Sequence, residues 1–575
     1  MSLLSKSYKL LEDREKKLLT ILLIFVTISM LLEVISVGAV IPIISSLLNK
    51  NEFSSNSLDF IYEYFFFHQL IKYNLIYLVF GLIAIFLIKN FFIFSTFWFR
   101  SFLLNEISKR LSSDVFKNYL YMPYERITQK KASEVINNSS EVVITLRESF
   151  SNMIIVVSEI IVFLGLIIFL ILMEPLGVTL ILSLAIFVSY FFYILNKSKL
   201  TEWGKGLKLN KEEKMQTIIQ SLNSIKIIKI LNNYKFFTNL YNVFNFKEHK
   251  HIHYSSLVSV LPRFIFEILG ISVIGFSIIF FTKQNMSNEE IIIILSVFAV
   301  ASLRILPAVA RITNSIALLR FYKFSIDVIY GELSLQKKEQ HKISNEKYKP
   351  IKFKNLKLKK ISFLRNSNKK LIVNLVDFDL TKGDSVGIKG LSGSGKTTFI
   401  DILCGLLKPT NGKIILNDEI DITNYEKTTP IKIGYIPQNV YLSNDSIASN
   451  IAFGFLKEKI EYKKVVEMMK ICKLENFLDD NDMILDVNLG DGGVNLSGGE
   501  KQRIGIARAI YNNPELLIFD EFTNSLDEQT EKTIISNIDY VTKNKTSIFI
   551  SHKDSSLIKC KKIYEFKHNQ LYNIR

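Results

Sequence analysis

Long apolar runs fill the first three hundred or so residues, and they leave the chain few ways to fold. The run Leu18–Leu48 carries one charge, Glu33, among Ile, Leu, Val and Phe. About 20 consecutive apolar residues suffice to carry a helix across a bilayer. Runs of that order occupy 18–48, 75–104, 154–173, 178–195, 257–281 and 291–319, which predicts six membrane helices. After about residue 340 such runs stop. The hydrophobic fraction of 49% is therefore an average over a membrane half and a soluble half.

The connections between runs alternate in charge. Glu174-Pro175-Leu176-Gly177 has no Lys or Arg, and the turn near Asn285 ends in Glu289-Glu290. Connections 105–153 and 196–256 are long, polar and rich in Lys. The positive-inside rule places both, the N-terminus and the C-terminal half in the cytoplasm. Lys6, Lys9, Arg14, Lys16 and Lys17 precede a run too long for a signal-peptide core and without a small-residue cleavage site. That run is expected to stay as a membrane helix.

The same crowding of Lys and Arg accounts for the net charge of +17 without nucleic acid. The outer segment 49–72, with LDFIYEYFFFHQLI, fits a helix at the membrane surface, a continuation of the first span, or a capped loop. Cys404, Cys472 and Cys560 all fall in the soluble half with no metal-ligand spacing, as expected of reduced thiols.

The membrane domain is therefore set at 1–331 and a charged linker at 332–349. From 350 to 575 short β-branched strands alternate with helices, an α/β pattern. Within it, Asp384–Gly390 reads as a strand and Thr397–Leu407 as a helix. The loop between them holds Gly390, Ser392, Gly393, Ser394, Gly395, Lys396, Thr397 and Thr398 in the GxxxxGKT spacing. Glycines let backbone N–H groups close around phosphate at the positive end of a helix. Lys396 is expected to reach the β- and γ-phosphates, and Thr397 to ligate Mg²⁺. The apolar strand LLIFD ends in Asp520, a second Mg²⁺ ligand, followed by Glu521 as general base.

Leu496-Ser497-Gly498-Gly499-Glu500 lies between that loop and that acidic strand end. With it the soluble half resembles the nucleotide-binding domain of an ABC (ATP-binding cassette) ATPase. The resemblance implies an α/β P-loop fold, ATP and Mg²⁺ as cofactors, and a dimer in which LSGGE caps ATP held by the facing subunit. It implies that Gln438 in YIPQN senses Mg²⁺ and the γ-phosphate, and that His552 in FISHK is the switch histidine. It makes Asn524-Ser525-Leu526-Asp527 the D-loop, and GDGG at 490–493 a loop facing the partner's coupling region. Arg365 falls where an adenine-stacking aromatic is expected, with Phe363 close by, and Glu500 replaces the commoner Gln.

The membrane half resembles an ABC exporter, a six-helix all-α transmembrane domain. There the tips of the long hairpins are short coupling helices, here Tyr119–Arg126 and about 222–234, with Pro123 breaking the first. LLEVISVGAVIPII, LPRFIFEILG and SLRILPAVARI resemble bacterial flippases of lipid-linked oligosaccharides. Charges inside spans cost about 2.5–3.5 kcal/mol on insertion scales, so they face a cavity or a partner. Glu33, Arg263, Arg304 and Arg311 are the candidates for cargo contact. Arg304 and Arg311 share a helix face and either meet a diphosphate headgroup or pair with acids on other helices. Arg263 and Glu267 stand four apart and can neutralise each other. The expected protein is an ATP-driven homodimer in a bacterial cytoplasmic membrane that flips a polyisoprenyl-diphosphate oligosaccharide outward. Its rivals are an exporter of another lipid, peptide or drug, and an ATP-gated regulator that moves no cargo.

Overall fold

The computed structural model of the chain describes residues 2–39, 75–173, 175–283, 288–340, 351–365, 370–423, 430–479, 489–522, 545–552 and 560–575, with 536, 557 and 558 between them. The D-loop residues Asn524–Asp527, the segment 49–72 and most of the linker lie outside that set. The chain divides into two compact units. One comprises Met1–Met122 and Arg126–Lys338, the other Pro123–Glu125 and Glu339–Arg575.

Helices account for the secondary structure of the described residues up to Gln340. They are α1 (Leu3–Leu10), α2 (Asp13–Gly38), α3 (Leu75–Tyr121), α4 (Tyr124–Ile127), α5 (Ala132–Ser139), α6 (Glu141–Met173), α7 (Pro175–Asn223), α8 (Ile225–Leu231), α9 (Tyr234–Lys283), α10 (Asn288–Phe321) and α11 (Lys323–Gln340). Among the described residues, four stretches are long and apolar enough to cross a membrane: Asp13–Gly38, Ile76–Tyr121, Ala132–Phe169 and Tyr234–Phe276. The other two expected spans fall on α7 and α10.

Helices α3, α7 and α9 run for 47, 49 and 50 residues. At 1.5 Å per residue each is about 70 Å long, over twice the ~30 Å hydrocarbon layer, so each extends well beyond it. Pro123 separates α3 from the short α4, and Asn232 in the left-handed conformation (φ 59°) closes the short α8. The stretch 332–340, expected as linker, is the end of α11.

Polar anchors fix one end of the helical unit. Arg110 donates through Nε and Nη2 to Glu15 at 2.8 and 2.7 Å, through Nη1 to Asp114, and to the Leu10 carbonyl. That ties α1 and α2 to α3. Helices α7 and α10 meet at Gly204, where a Cβ would lie 1.8 Å from the Phe321 carbonyl oxygen.

The second unit holds two sheets. Strands β1 (Asn355–Arg365), β2 (Lys370–Thr381), β4 (Asn411–Leu416) and β5 (Ile420–Asp421) form an antiparallel sheet in the order β2-β1-β4-β5. Strands β3 (Ser385–Lys389), β6 (Ile433–Ile436), β7 (Leu516–Asp520), β8 (Thr546–Ile550), β9 (Lys562–Lys567) and β10 (Gln570–Asn573) form the other, in the order β10-β9-β3-β8-β7-β6. From β9 to β6 its pairs are parallel. Strands β7 and β8 are buried at every position, as continuous apolar runs in a parallel sheet should be. Phe519 stacks on Phe549 at 4.6 Å between them. Parallel pairing brings the carboxyl ends of β3, β6, β7 and β8 to one edge, where the phosphate loop, Gln438, Glu521 and His552 follow them.

Replacing Gly204 with Ala is expected to destabilise the helical unit by about 1–3 kcal/mol through overpacking. Gly331 has nothing within 4 Å of its would-be Cβ, so Gly331→Ala should stabilise α11 by up to about 1 kcal/mol. Thermal unfolding of the two purified variants, which should move in opposite directions, checks this.

Candidate active site

The phosphate loop is shaped by glycines where no other residue fits. Gly395 caps helix α12 (Lys396–Leu403) at φ 115°, and a Cβ there would sit 2.9 Å from the Ile372 carbonyl oxygen. A Cβ on Gly390 would lie 2.5 Å from the Phe566 carbonyl oxygen. Ser392, Gly393 and Thr397 are exposed, Thr398 is buried, and Gly393 has φ 77°. Ser394 Oγ is buried and has no hydrogen-bond partner among the described residues, which suits a hydroxyl aimed at an oxyanion.

Lys396 is buried. Its Nζ donates to the carbonyls of Gly390 and Leu391 at 2.7 and 2.9 Å and lies 3.4 Å from His552 Nε2. Burial lowers the pKa of its ammonium, while the charges of Glu521 and Asp520 pull the other way.

Glu521 stands between two side chains. Gln438 Nε2 donates to its Oε2 at 2.8 Å, and His552 Nε2 lies 3.0 Å from its Oε1. Its backbone adopts φ 48°, unusual for a non-glycine residue, and its N–H donates to the Ile550 carbonyl of β8 at 3.0 Å. Asp520 is buried and accepts a hydrogen bond from Tyr435 OH at 3.0 Å. Burial raises its carboxyl pKa, and Tyr435 and Lys396 oppose that rise. Asp401 behind it is pushed up to about 6 by burial and the Asp520 charge.

The sequence reading missed Tyr435 and Asp401. Tyr435 stands three residues before Gln438 on β6, so strand register is the signal that finds it. Gln502 was missed too. It lies on α15 (Gly498–Tyr511, with α13 at Ile447–Ile451 and α14 at Tyr462–Ile471 before it), and its Nε2 donates to the Gln438 carbonyl at 2.7 Å.

The signature residues sit at the N-terminus of α15. Leu496 is buried, Ser497 and Gly498 are exposed, and Gly499 and Glu500 are half-buried. Ser497 Oγ accepts from the Glu500 N–H at 3.3 Å, and Glu500 Oε2 accepts from the Ser497 N–H and hydroxyl at 2.8 and 2.7 Å. This is a capping box. The Ser497 hydroxyl holds the Glu500 carboxyl below its ordinary range.

Arg365 is exposed at the end of β1, while Phe363 is buried in the core. In the helical unit, Glu33 is buried on α2 and Arg263 is exposed on α9. Arg311 donates from Nε and Nη2 to both carboxylate oxygens of Glu159 on α6, at 2.7 and 3.0 Å. That is the helix-to-helix pairing of the two alternatives. Arg304 lies on α10; its side chain is outside the described set.

Two family descriptions match this chain: "ABC transporter transmembrane region" over residues 18–304 and "ABC transporter" over 373–524. An ATP-dependent lipid A-core flippase of Vibrio vulnificus is 35% identical over 207 residues, 36% of this chain and 35% of that protein. Its counterpart in Ralstonia nicotianae is 30% identical over 217 residues, 38% of this chain and 37% of that one. The chain thus spans little more than a third of the length of these flippases. The heterocyst differentiation ATP-binding protein HepA of Nostoc is 25% identical over 477 residues, 81% of this chain and 75% of that one. A solved bacterial Atm1-family ABC exporter with ATP bound superposes with a TM-score of 0.70 at 18% identity, over 93% of each chain, and so shares the fold.

Glu500→Gln is expected to keep the cap, because Gln serves at that position of a capping box, and to leave ATPase rate within about threefold. Glu500→Ala should lose about 1 kcal/mol of helix-end stability. The depressed carboxyl pKa sets the sign with pH. Its stabilisation is present above the unfolded value, ordinarily near 4.3, and fades as pH falls through the lower folded value. Thermal melts of wild type and the Ala variant from neutral to acid pH should therefore converge only below about pH 4.3.

Proposed function

The chain belongs to the ABC transporters, and on that premise we propose that it is an ATP-driven exporter, assembled as a homodimer, that flips a polyisoprenyl-diphosphate oligosaccharide from the inner to the outer leaflet. The observation that carries the motor half of this reading is the Glu521 carboxylate between Gln438 and His552, at the strand edge that also holds Lys396. Glu521 takes a proton from water as the water oxygen attacks the γ-phosphorus. The bond from that phosphorus to the bridging oxygen breaks, and ADP and phosphate leave. Gln438 and His552 orient the carboxylate, and Lys396 meets the phosphate charge. Thr397, Gln438 and Asp520 supply the oxygen donors that suit Mg²⁺, and they would hold it. When bound, that ion neutralises charge on the phosphates.

One loop and one LSGGE per chain support the homodimer, since each ATP needs one of each. The Ser497 hydroxyl and Gly499 at the N-terminus of α15 would face the partner's nucleotide. For the cargo, support comes from charges placed within apolar spans and from relatives named as lipid A-core flippases. Those names also favour a second reading, export of another anionic glycolipid.

Glu521→Gln should bind ATP with near-normal affinity and turn it over about 10²–10⁴-fold more slowly. Brisk multiple turnover by that variant would sink the motor reading. In reconstituted vesicles, ATP-dependent loss of a lipid-linked glycan from one leaflet is expected. Nucleotide-dependent partner binding with no such loss would support the regulator instead.

A further inference from the structure

An uncommitted cluster of cations lies where the helical unit leaves the bilayer. Tyr193, Lys197, Thr201 and Lys205 recur every four residues on α7 and form one ridge. Across from them stands Arg320, in the last turn of α10. Together with Glu202 they line an open groove of about 520 Å³. Tyr193 falls in the last turn of the fourth expected span, and Arg320 one residue past the sixth. Aromatic and basic residues at such depth sit among lipid headgroups.

Two features separate this groove from an ordinary solvated face. Arg320 donates from Nη2 to the Tyr193 hydroxyl, and its guanidinium lies 5.3 Å from the Tyr193 ring centre. One cation of the groove is therefore held in place, and a guanidinium has five N–H donors. The second feature is the charge balance along α7. Farther from the bilayer, Lys208 pairs with Glu212 at 3.2 Å, Lys211 with Glu141 at 2.9 Å, and Lys214 with Glu248. Among the described residues, no carboxylate forms an ion pair with Lys197, Lys205 or Arg320. Three cations face one carboxylate, Glu202, in a groove at headgroup depth.

We propose that this groove binds the phosphate headgroup of an anionic lipid of the inner leaflet, with Arg320 as the fixed ligand and Lys197 and Lys205 as charge partners. Arg320 forks onto two phosphate oxygens, as guanidinium does. The lysines add point charge, and Glu202 weakens the site. The inference rests on the membrane orientation argued above but not on the identity of the transported lipid. If that lipid carries a diphosphate, the groove is where its headgroup is first held.

The test uses the full chain in phosphatidylcholine nanodiscs, in a Trp98→Phe, Trp203→Phe background that carries Ser198→Trp on the groove wall. The single indole then reports on the groove, one residue from Lys197. Phosphatidic acid with brominated acyl chains should quench it. Lys197→Gln and Lys205→Gln should each raise the half-quenching lipid fraction about fivefold. Glu202→Gln should lower it, a gain that misfolding cannot produce. Relief of quenching by added inorganic pyrophosphate would assign recognition to the phosphate itself. No relief would assign it to phosphate presented at a lipid surface. Unchanged quenching across all three variants would overturn the proposal. If the groove binds while leaflet transfer fails, the cargo reading falls and the site stands. If transfer persists in variants that no longer bind the probe, the groove stands as a lipid site and is not where the cargo headgroup is first held.

Discussion

Wherever water is excluded, each backbone N–H and C=O has to find a partner within the protein. That requirement organises both units. In the bilayer it permits helices whose hydrogen bonds close within the segment, so apolar runs such as Leu18–Gly38 have one stable form. In the second unit it is met by parallel ladders between β3, β8, β7 and β6, with β7 and β8 buried on both faces. Ladders end where strands end, and the next backbone groups must be met in some other way. The phosphate loop shows how: Lys396 reaches back to the Gly390 and Leu391 carbonyls. The same ammonium that can meet a phosphate thereby closes the loop that would hold it.

The strand edge also stores strain. Glu521 follows a buried strand directly, and its positive φ turns the chain out of the ladder while its N–H still bonds to Ile550. A non-glycine residue in that region costs of order 1–3 kcal/mol. The surrounding bonds over-determine it: Gln438 and His552 hold the carboxylate, and Gln502 holds the Gln438 carbonyl in turn. The chain from Gln502 to Glu521 links the helix that begins at the signature residues to the carboxylate proposed as general base. A carboxylate held in this way loses little orientation entropy when water arrives.

Much of this was legible in the sequence because the signals are local. Apolar length gives the spans, Pro123 the break before Tyr124–Ile127, and the Gly spacing the loop around Lys396. What stayed hidden depends on pairing between distant segments. Tyr435 meets Asp520 only because β6 lies beside β7. Arg311 meets Glu159 across 152 residues of sequence, and no helical periodicity specifies that partner. Glu500 departs from Gln in charge, but its carboxylate closes the Ser497 cap, a role either side chain fills. Phe363, beside the expected adenine position, faces the core because a register shift in β1 after Leu358 moves the buried side from Leu356 and Leu358 to Ile361 and Phe363.

Charge placement along the helical unit follows the cost of desolvation. Inside the span region Arg311 is neutralised by both oxygens of Glu159, since an unpaired guanidinium there would be expensive. Farther along α7, beyond the span, Lys211 and Lys214 are paired with Glu141 and Glu248 on other helices, where pairing fixes helix packing. Between these zones lies a short band, Lys197 to Lys205 with Arg320, where neither requirement applies. At the headgroup depth proposed for it, lipid and water solvate a cation, so stability does not call for a carboxylate. Packing gives the band no reason to hold three cations together, yet Gly204 keeps α7 and α10 close enough for Arg320 to reach Tyr193. The close approach needed for that contact is made by a residue that tolerates no side chain, which ties the geometry of the groove to the packing of the two helices that form it.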